Sequence, residues 1–197
     1  MFPILFADDT NSLACGNNLP ELVNTVNEEL VKITDWLAAN KLSLNIKKTH
    51  FMLFKTKGKK FSSDISIKIR DQCIDKVTHT KFLGITIDDR LNWSNHITCI
   101  KNKIAKGLGI MRKAKSLLKE KTLITLYYSF IYPYLHYGII AWGKTTNNYL
   151  NPLSILQKRA IRLISSAHKF DHTAPLFKKL GLLKLENIYN QCHDLHV

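Results

Sequence analysis

Apolar positions in this chain recur first in short runs and alternations, then, from the middle onward, at helical spacing. Ile4, Leu5, Phe6 and Ala7 form one apolar run and Leu13, Ala14 and Cys15 another. The polar stretch Asp8–Asp9–Thr10–Asn11 between them is turn chemistry, so a hairpin is expected. Leu22, Val26, Leu30, Ile33 and Leu37 then repeat at steps of three and four, one stripe of an amphipathic helix. Asn18 reads as its N-cap, with Glu21 closing a capping box, Pro20 in the first turn and Asn40 in the left-handed region as its stop. The stripe is expected to lie against the hairpin's sheet.

Three strands are predicted next. "THFMLF" (49–54) is followed by a basic turn, "KTKGKK" (55–60), and in "ISIKI" Ile65, Ile67 and Ile69 alternate onto one face. "KFLGITID" (81–88) reads as a strand in which Gly84 permits close backbone approach or a bulge. Asp88–Asp89 after it reads as turn and cap chemistry. Short strands with one covering helix make this part α+β.

From Ser94 the pattern is helical. Ile97, Ile100, Ile104, Leu108 and Met111 form a stripe, and the other face carries Lys101, Lys103, Lys106, Arg112 and Lys113. A second helix is predicted over roughly 119–131, a third over 151–167 with Lys158, Arg159 and Arg162 outward, and a short helix with a docking segment over 174–192. Leu123 to Trp142 contains no Asp, Glu, Lys or Arg and meets the length criterion for a membrane span. Pro133, His136, Gly138 and five tyrosines spread through it argue instead for helices buried in a helical subdomain. No membrane association is expected.

Charge sharpens the picture. The 197-residue chain carries a formal net charge of +14, unevenly placed. Residues 1–40 hold one lysine against six acids, whereas residues 41–121 hold twenty Lys and Arg against six acids. An acidic block followed by a strongly basic one implies a surface that meets a polyanion, most often nucleic acid. The four cysteines are widely spaced and form no CxxC pair, and no basic leader precedes the first apolar run. An intracellular protein of the nucleus or cytoplasm is expected, without disulfides. His168 with His172, and Cys192 with His193 and His196, lack a completing pair at zinc spacing. No serine sits in a glycine-flanked elbow, and Trp36, Trp93 and Trp142 read as packing residues.

"FADDTNSL" (6–13), "NEELVKITDWLAANKLSLNIKKTHFMLF" (27–54) and "KFLGITIDDRLNW" (81–93) together resemble the second half of a reverse transcriptase of the non-LTR retrotransposon type, the LINE or jockey kind. "LYYSFIYPYLHYGIIAWG", "LQKRAIRLI" and "PLFKKLGLLKLENIY" are similar to the helical region after the polymerase domain in those proteins. The resemblance implies a partial palm over 1–92, thumb-like helices over 93–145 and a C-terminal helical region over 146–197.

Nucleotidyl transfer with two Mg²⁺ (or Mn²⁺) ions needs carboxylates that hold both metals. The resemblance makes Asp8 the principal ligand and Asp9 its supporting neighbour, since adjacent strand residues point to opposite faces. It matches Lys48, with Lys47 as the fallback, to a cation facing the leaving pyrophosphate, and Leu83 and Gly84 to a hairpin gripping the primer end. The lysines and arginines from 101 to 113 would track the phosphates of an RNA template and its DNA primer. The family's site takes a further aspartate and the fingers from upstream of the A-D-D motif. The chain therefore reads as N-terminally truncated and inactive alone. The alternative is a non-catalytic, basic nucleic-acid-binding protein derived from such an enzyme.

Overall fold

A computed structural model describes residues 1–6, 9–56 and 65–195. The chain forms two compact units, Met1–Thr80 and Lys81–Val197.

In the first unit, β1 (Phe2–Phe6) and β2 (Asp9–Leu13) form an antiparallel hairpin, in register from Phe2 opposite Leu13 to Phe6 opposite Asp9. Helix α1 (Leu19–Ala39) follows the predicted stripe, and its apolar side faces a small core of Ile67, Ile69 and Ile74. The strand that receives it is β4 (Lys68–Ile69), paired with β5 (Gln72–Cys73), rather than the N-terminal hairpin. Asn27 makes the join specific. Its Oδ1 accepts from the Lys68 amide at 2.9 Å, and its Nδ2 donates to the Ser66 carbonyl at 3.4 Å.

The ends of α1 depart from expectation. Asn18 donates to the Glu21 carboxylate at 2.7 Å instead of capping a backbone amide. Asn40 stays at φ −89° and bonds the Trp36 carbonyl through its side chain, while Lys41 takes the left-handed turn at φ 57°. Trp36 is exposed, because it lies off the Ile33–Leu37 stripe.

The strand expected over 49–54 contracts to β3 (His50–Phe51), parallel to β6 (Asp75–Lys76). The one expected over 65–69 contracts to β4. Pairing stops after two residues in each case, although Ile67 and Ile69 do turn inward as their alternation requires. Residues 57–64, which include most of the predicted basic turn, lie outside the described residues, as do Ala7, Asp8 and His196.

The division falls within β7 (His79–Phe82), which pairs with β8 (Ile85–Asp88), and the second unit continues through α2 (Ser94–Ala114), α3 (Glu120–Phe130), α4 (Tyr132–His136), α5 (Ile139–Trp142), α6 (Asn147–Ile164), α7 (Thr173–Leu180) and α8 (Leu185–Asp194). The α2 stripe is buried at every predicted position, Ile97 through Met111. The uncharged segment from Leu123 to Trp142 is broken into α3, α4 and α5. Its Leu123, Tyr127, Leu135, Ile139 and Trp142 point into the same core. Ile131 is the break between α3 and α4, and Gly138, at φ 61°, opens α5. Among the described residues no helix is long and apolar enough to cross a membrane.

The predicted final helix and docking segment are two helices, α7 and α8, divided by Gly181 at φ 63°. Their junction is tied down by Gln157 of α6, a position that periodicity alone marks only as helical. Its Nε2 donates to the Tyr127 hydroxyl and the Leu183 carbonyl, and its Oε1 accepts from the Leu185 amide. All four cysteines are free.

Candidate nucleic-acid interface

Asp9 begins β2, with an exposed side chain, opposite the exposed Phe6. Asp8 falls outside the described residues. Among those described, no group of three or more His, Cys, Asp or Glu side chains is placed to hold a metal ion. A carboxylate is the hard oxygen donor that Mg²⁺ takes, so Asp9 suits the ion chemically, but one ligand is not a site.

Lys48 closes the 3₁₀ turn Ile46–Lys48 and is exposed, as is Lys47. The turn is braced by Thr49, whose hydroxyl donates to the Asn45 carbonyl at 3.0 Å, and by His50 Nδ1, which lies 3.2 Å from the Lys48 carbonyl oxygen. Among the described residues no hydrogen bond or ion pair joins Lys48 to Asp9.

Leu83 and Gly84 are the two-residue turn between β7 and β8, at φ 44° and 83°. The stretch read from its residues as one strand is thus a hairpin, as the family resemblance implied. Positive φ at both turn positions matches the twist of the flanking strands, and Gly84 bears it without strain. The close approach expected at Gly84 is real, and its partner is a side chain. A Cβ there would lie 3.4 Å from the Tyr137 ring, whose hydroxyl donates to the Leu83 carbonyl at 2.6 Å. Nothing in the local pattern assigns Tyr137 this role, since only the fold pairs positions 54 residues apart.

After the hairpin, Asp88 is buried, and it is a turn-and-cap residue as read. Its Oδ1 accepts from the Arg90 and Asn92 amides at 3.1 Å, and its Oδ2 accepts from the Trp93 amide at 2.8 Å. Asn92 Oδ1 then accepts from Ser94 N at 2.9 Å, satisfying one of the orphan donors at the start of α2. A second tie runs from α2 to β8. His96 Nδ1 accepts from the Thr86 amide at 3.3 Å, which places its proton on Nε2, and that buried atom has no hydrogen-bond partner among the described residues. Burial, and secondarily the Lys103 ammonium, holds the His96 imidazole below its ordinary pKa.

Helix α2 carries the basic face. Lys103, Lys106, Arg112 and Lys113 are exposed, Lys101 is half-buried, and residues 94–114 contain no acid. None of these cations forms an ion pair among the described residues. Lys103 Nζ lies over the Tyr134 ring at 5.1 Å. The charges fan around the solvent side of the helix, the arc left free by the buried stripe. Gly107 sits within that stripe, where the α3 backbone approaches so closely that a Cβ would meet Phe130 O at 2.8 Å. Such a face can neutralise phosphates without reading sequence.

The chain is 26% identical over 184 residues to the RNA-directed DNA polymerase from mobile element jockey of Drosophila melanogaster, covering 91% of this chain and 20% of that protein. It is similar in sequence to retrotransposon reverse transcriptases. The probable RNA-directed DNA polymerase from transposon BS of the same species is 27% identical over 189 residues, 92% of this chain and 20% of its own. A Pol polyprotein from type-1 retrotransposable element R1 2 of Nasonia vitripennis is 27% identical over 146 residues, 70% of this chain and 35% of the polyprotein. The chain thus spans about a fifth of the length of the first two polymerases. No protein-family model matches it, and no solved structure matches it significantly. Among the described residues of the two remaining histidine and cysteine sets, no metal-holding group forms. His168 and His172 are exposed, and Cys192 is buried with its Sγ 3.4 Å from His136 Nε2.

Proposed function

We propose that this chain is a segment of a non-LTR retrotransposon reverse transcriptase, comprising the later part of its palm and its thumb, and that it binds an RNA template paired with a DNA primer. The observation that carries this reading is the acid-free cationic face of α2, without an ion pair among the described residues and set directly after a hairpin whose turn is braced by Tyr137. The similarity to retrotransposon polymerases gives that face its polyanion. In this reading α2 lies along the duplex phosphates, and the Leu83–Gly84 turn meets the primer end. Asp8 and Asp9 are the ligands this segment offers to Mg²⁺ or Mn²⁺, and Lys48 faces the leaving pyrophosphate. No further family aspartate is matched by these 197 residues, so alone they bind template–primer without extending it.

The test is binding of the purified chain to an RNA–DNA hybrid across a salt series. Replacing Lys103, Lys106 and Lys113 together by Ala should weaken binding. It should also flatten the salt dependence by roughly one unit of slope for each phosphate no longer neutralised. An unchanged slope would remove α2 from the interface. Primer extension with Mg²⁺ should yield no product, and incorporation that Asp8→Asn abolishes would refute the inactive reading.

A further inference from the structure

A second candidate surface lies between α6 and α7, in a segment with no role in the reading above. Phe170 is 86% exposed, the most open large apolar side chain among the described residues. The ring is thus open to a planar ligand, and the charges around it bear on which kind. The loop that carries it is braced from both ends. Ala167 N donates to the Arg162 carbonyl at 2.9 Å, His168 N donates to Asp171 Oδ2 at 2.7 Å, and Arg162 Nε donates to the Asp171 carbonyl at 2.9 Å.

One cation lies at the ring itself. Lys169 Nζ lies 5.5 Å from its centroid, and His168 and His172 are exposed beside it in sequence. Lys158 and Arg159 stand one helical turn before Arg162 on α6, four and three residues away, and therefore share its face. The one acid in the loop, Asp171, is engaged by the loop's own backbone.

We propose that this loop binds single-stranded nucleic acid, with an unpaired base stacking on Phe170 and the backbone phosphates running toward Lys169, Arg162 and the Lys158–Arg159 turn. A π face amid cations is what sequence-tolerant single-strand sites use. A duplex keeps its bases stacked on one another and has none to offer. A membrane surface would need a broader apolar area than one ring flanked by His, Lys and Asp. The proposal rests on the polynucleotide-binding reading of the chain but uses a different element from α2, so the two can fail separately.

The test uses the full chain with labelled oligouridine, an RNA–DNA hybrid, heparin and phosphatidylserine vesicles as separate probes. Phe170→Ala should weaken oligouridine binding roughly 5- to 100-fold, the loss of one stacked base, with an unchanged salt slope. It should leave binding to the blunt hybrid and to heparin intact. Lys169→Ala should flatten the salt slope. Phe170→Trp should restore affinity, and its added indole emission should be quenched by oligouridine, a signal a merely structural residue would not produce. Oligouridine affinity of Phe170→Ala within about twofold of the parent, or no quenching in Phe170→Trp, overturns the proposal. Equal loss on heparin, or loss confined to the vesicles, overturns it too. Hybrid binding through α2 without any oligouridine binding would sink this inference while leaving the template–primer reading in place.

Discussion

The Tyr137 hydroxyl donates a 2.6 Å hydrogen bond to the Leu83 carbonyl, and the same ring closes over Gly84. The start of the α4–α5 junction thereby holds the turn of the β7–β8 hairpin. Gly84→Ala adds a side chain at φ 83°, at a cost of about 1–2 kcal/mol for the left-handed backbone alone. Tyr137→Phe keeps the ring and loses the bond, a smaller loss of about 0.5–1.5 kcal/mol. Urea unfolding should rank the two in that order, and an equal or reversed ranking would mean that the left-handed backbone at position 84 does not penalise a side chain as argued.

Gln157 serves three partners at once: the Tyr127 hydroxyl, the Leu183 carbonyl and the Leu185 amide. Gln157→Leu leaves buried polar groups unpaired at about 1–3 kcal/mol each, so a loss of about 3 kcal/mol or more is expected. Burial pushes the Tyr127 phenol up to about 12, so it stays a neutral donor and acceptor throughout the neutral range. Pairing Gln157→Leu with Tyr127→Phe removes both members of one bond and should recover part of the loss. A double-mutant cycle reads that coupling.

Two glycines of α2, Gly107 and Gly109, should respond with opposite signs. An alanine Cβ at 107 meets the Phe130 carbonyl at 2.8 Å, and backbone yields poorly, so Gly107→Ala should destabilise by about 1–3 kcal/mol. At 109 nothing lies within 4 Å, so Gly109→Ala should stabilise by up to about 1 kcal/mol through helix propensity. Thermal melts of the pair decide it. A stabilised Gly107→Ala would show that α3 does not press on α2 there.

His96 predicts an acid weakness. Its folded pKa is depressed, chiefly by burial and then by Lys103, so below the ordinary histidine range the unfolded chain takes up the proton first. Stability from this group is therefore full above about pH 6.5 and declines as pH falls from there toward the folded pKa. The chain should lose stability between neutral and mildly acid pH, and His96→Gln should show a shallower decline over that window, whatever its stability at neutral pH. Parallel slopes for the two proteins would refute the assignment.

Strong periodicity locates the helices well. The α1 and α2 stripes fall at their predicted positions because a repeat near 3.6 residues leaves one face for a core whatever that core is made of. The strands are less legible. The runs at 49–54 and 65–69 pair over only two residues each, and pairing depends on a partner that the local sequence does not name. Asp88 is readable as a turn residue because its donors are amides two to five positions onward. Tyr137, Gln157, His96 and Asn27 are not readable as site or junction residues, since their partners lie between 10 and 54 residues away.

By itself the sequence determined the elements with a period, the separation of acidic from basic regions, the acid-free face of α2 and the likeness to retrotransposon polymerases, since each is a property of neighbouring residues or of their order. The tertiary structure alone decided that α1 packs on β4, that the uncharged segment breaks into three helices around one core, and that Tyr137 braces the hairpin turn. Those outcomes depend on which distant surfaces can fill one another's space and satisfy one another's buried polar atoms, and local pattern carries no record of that competition.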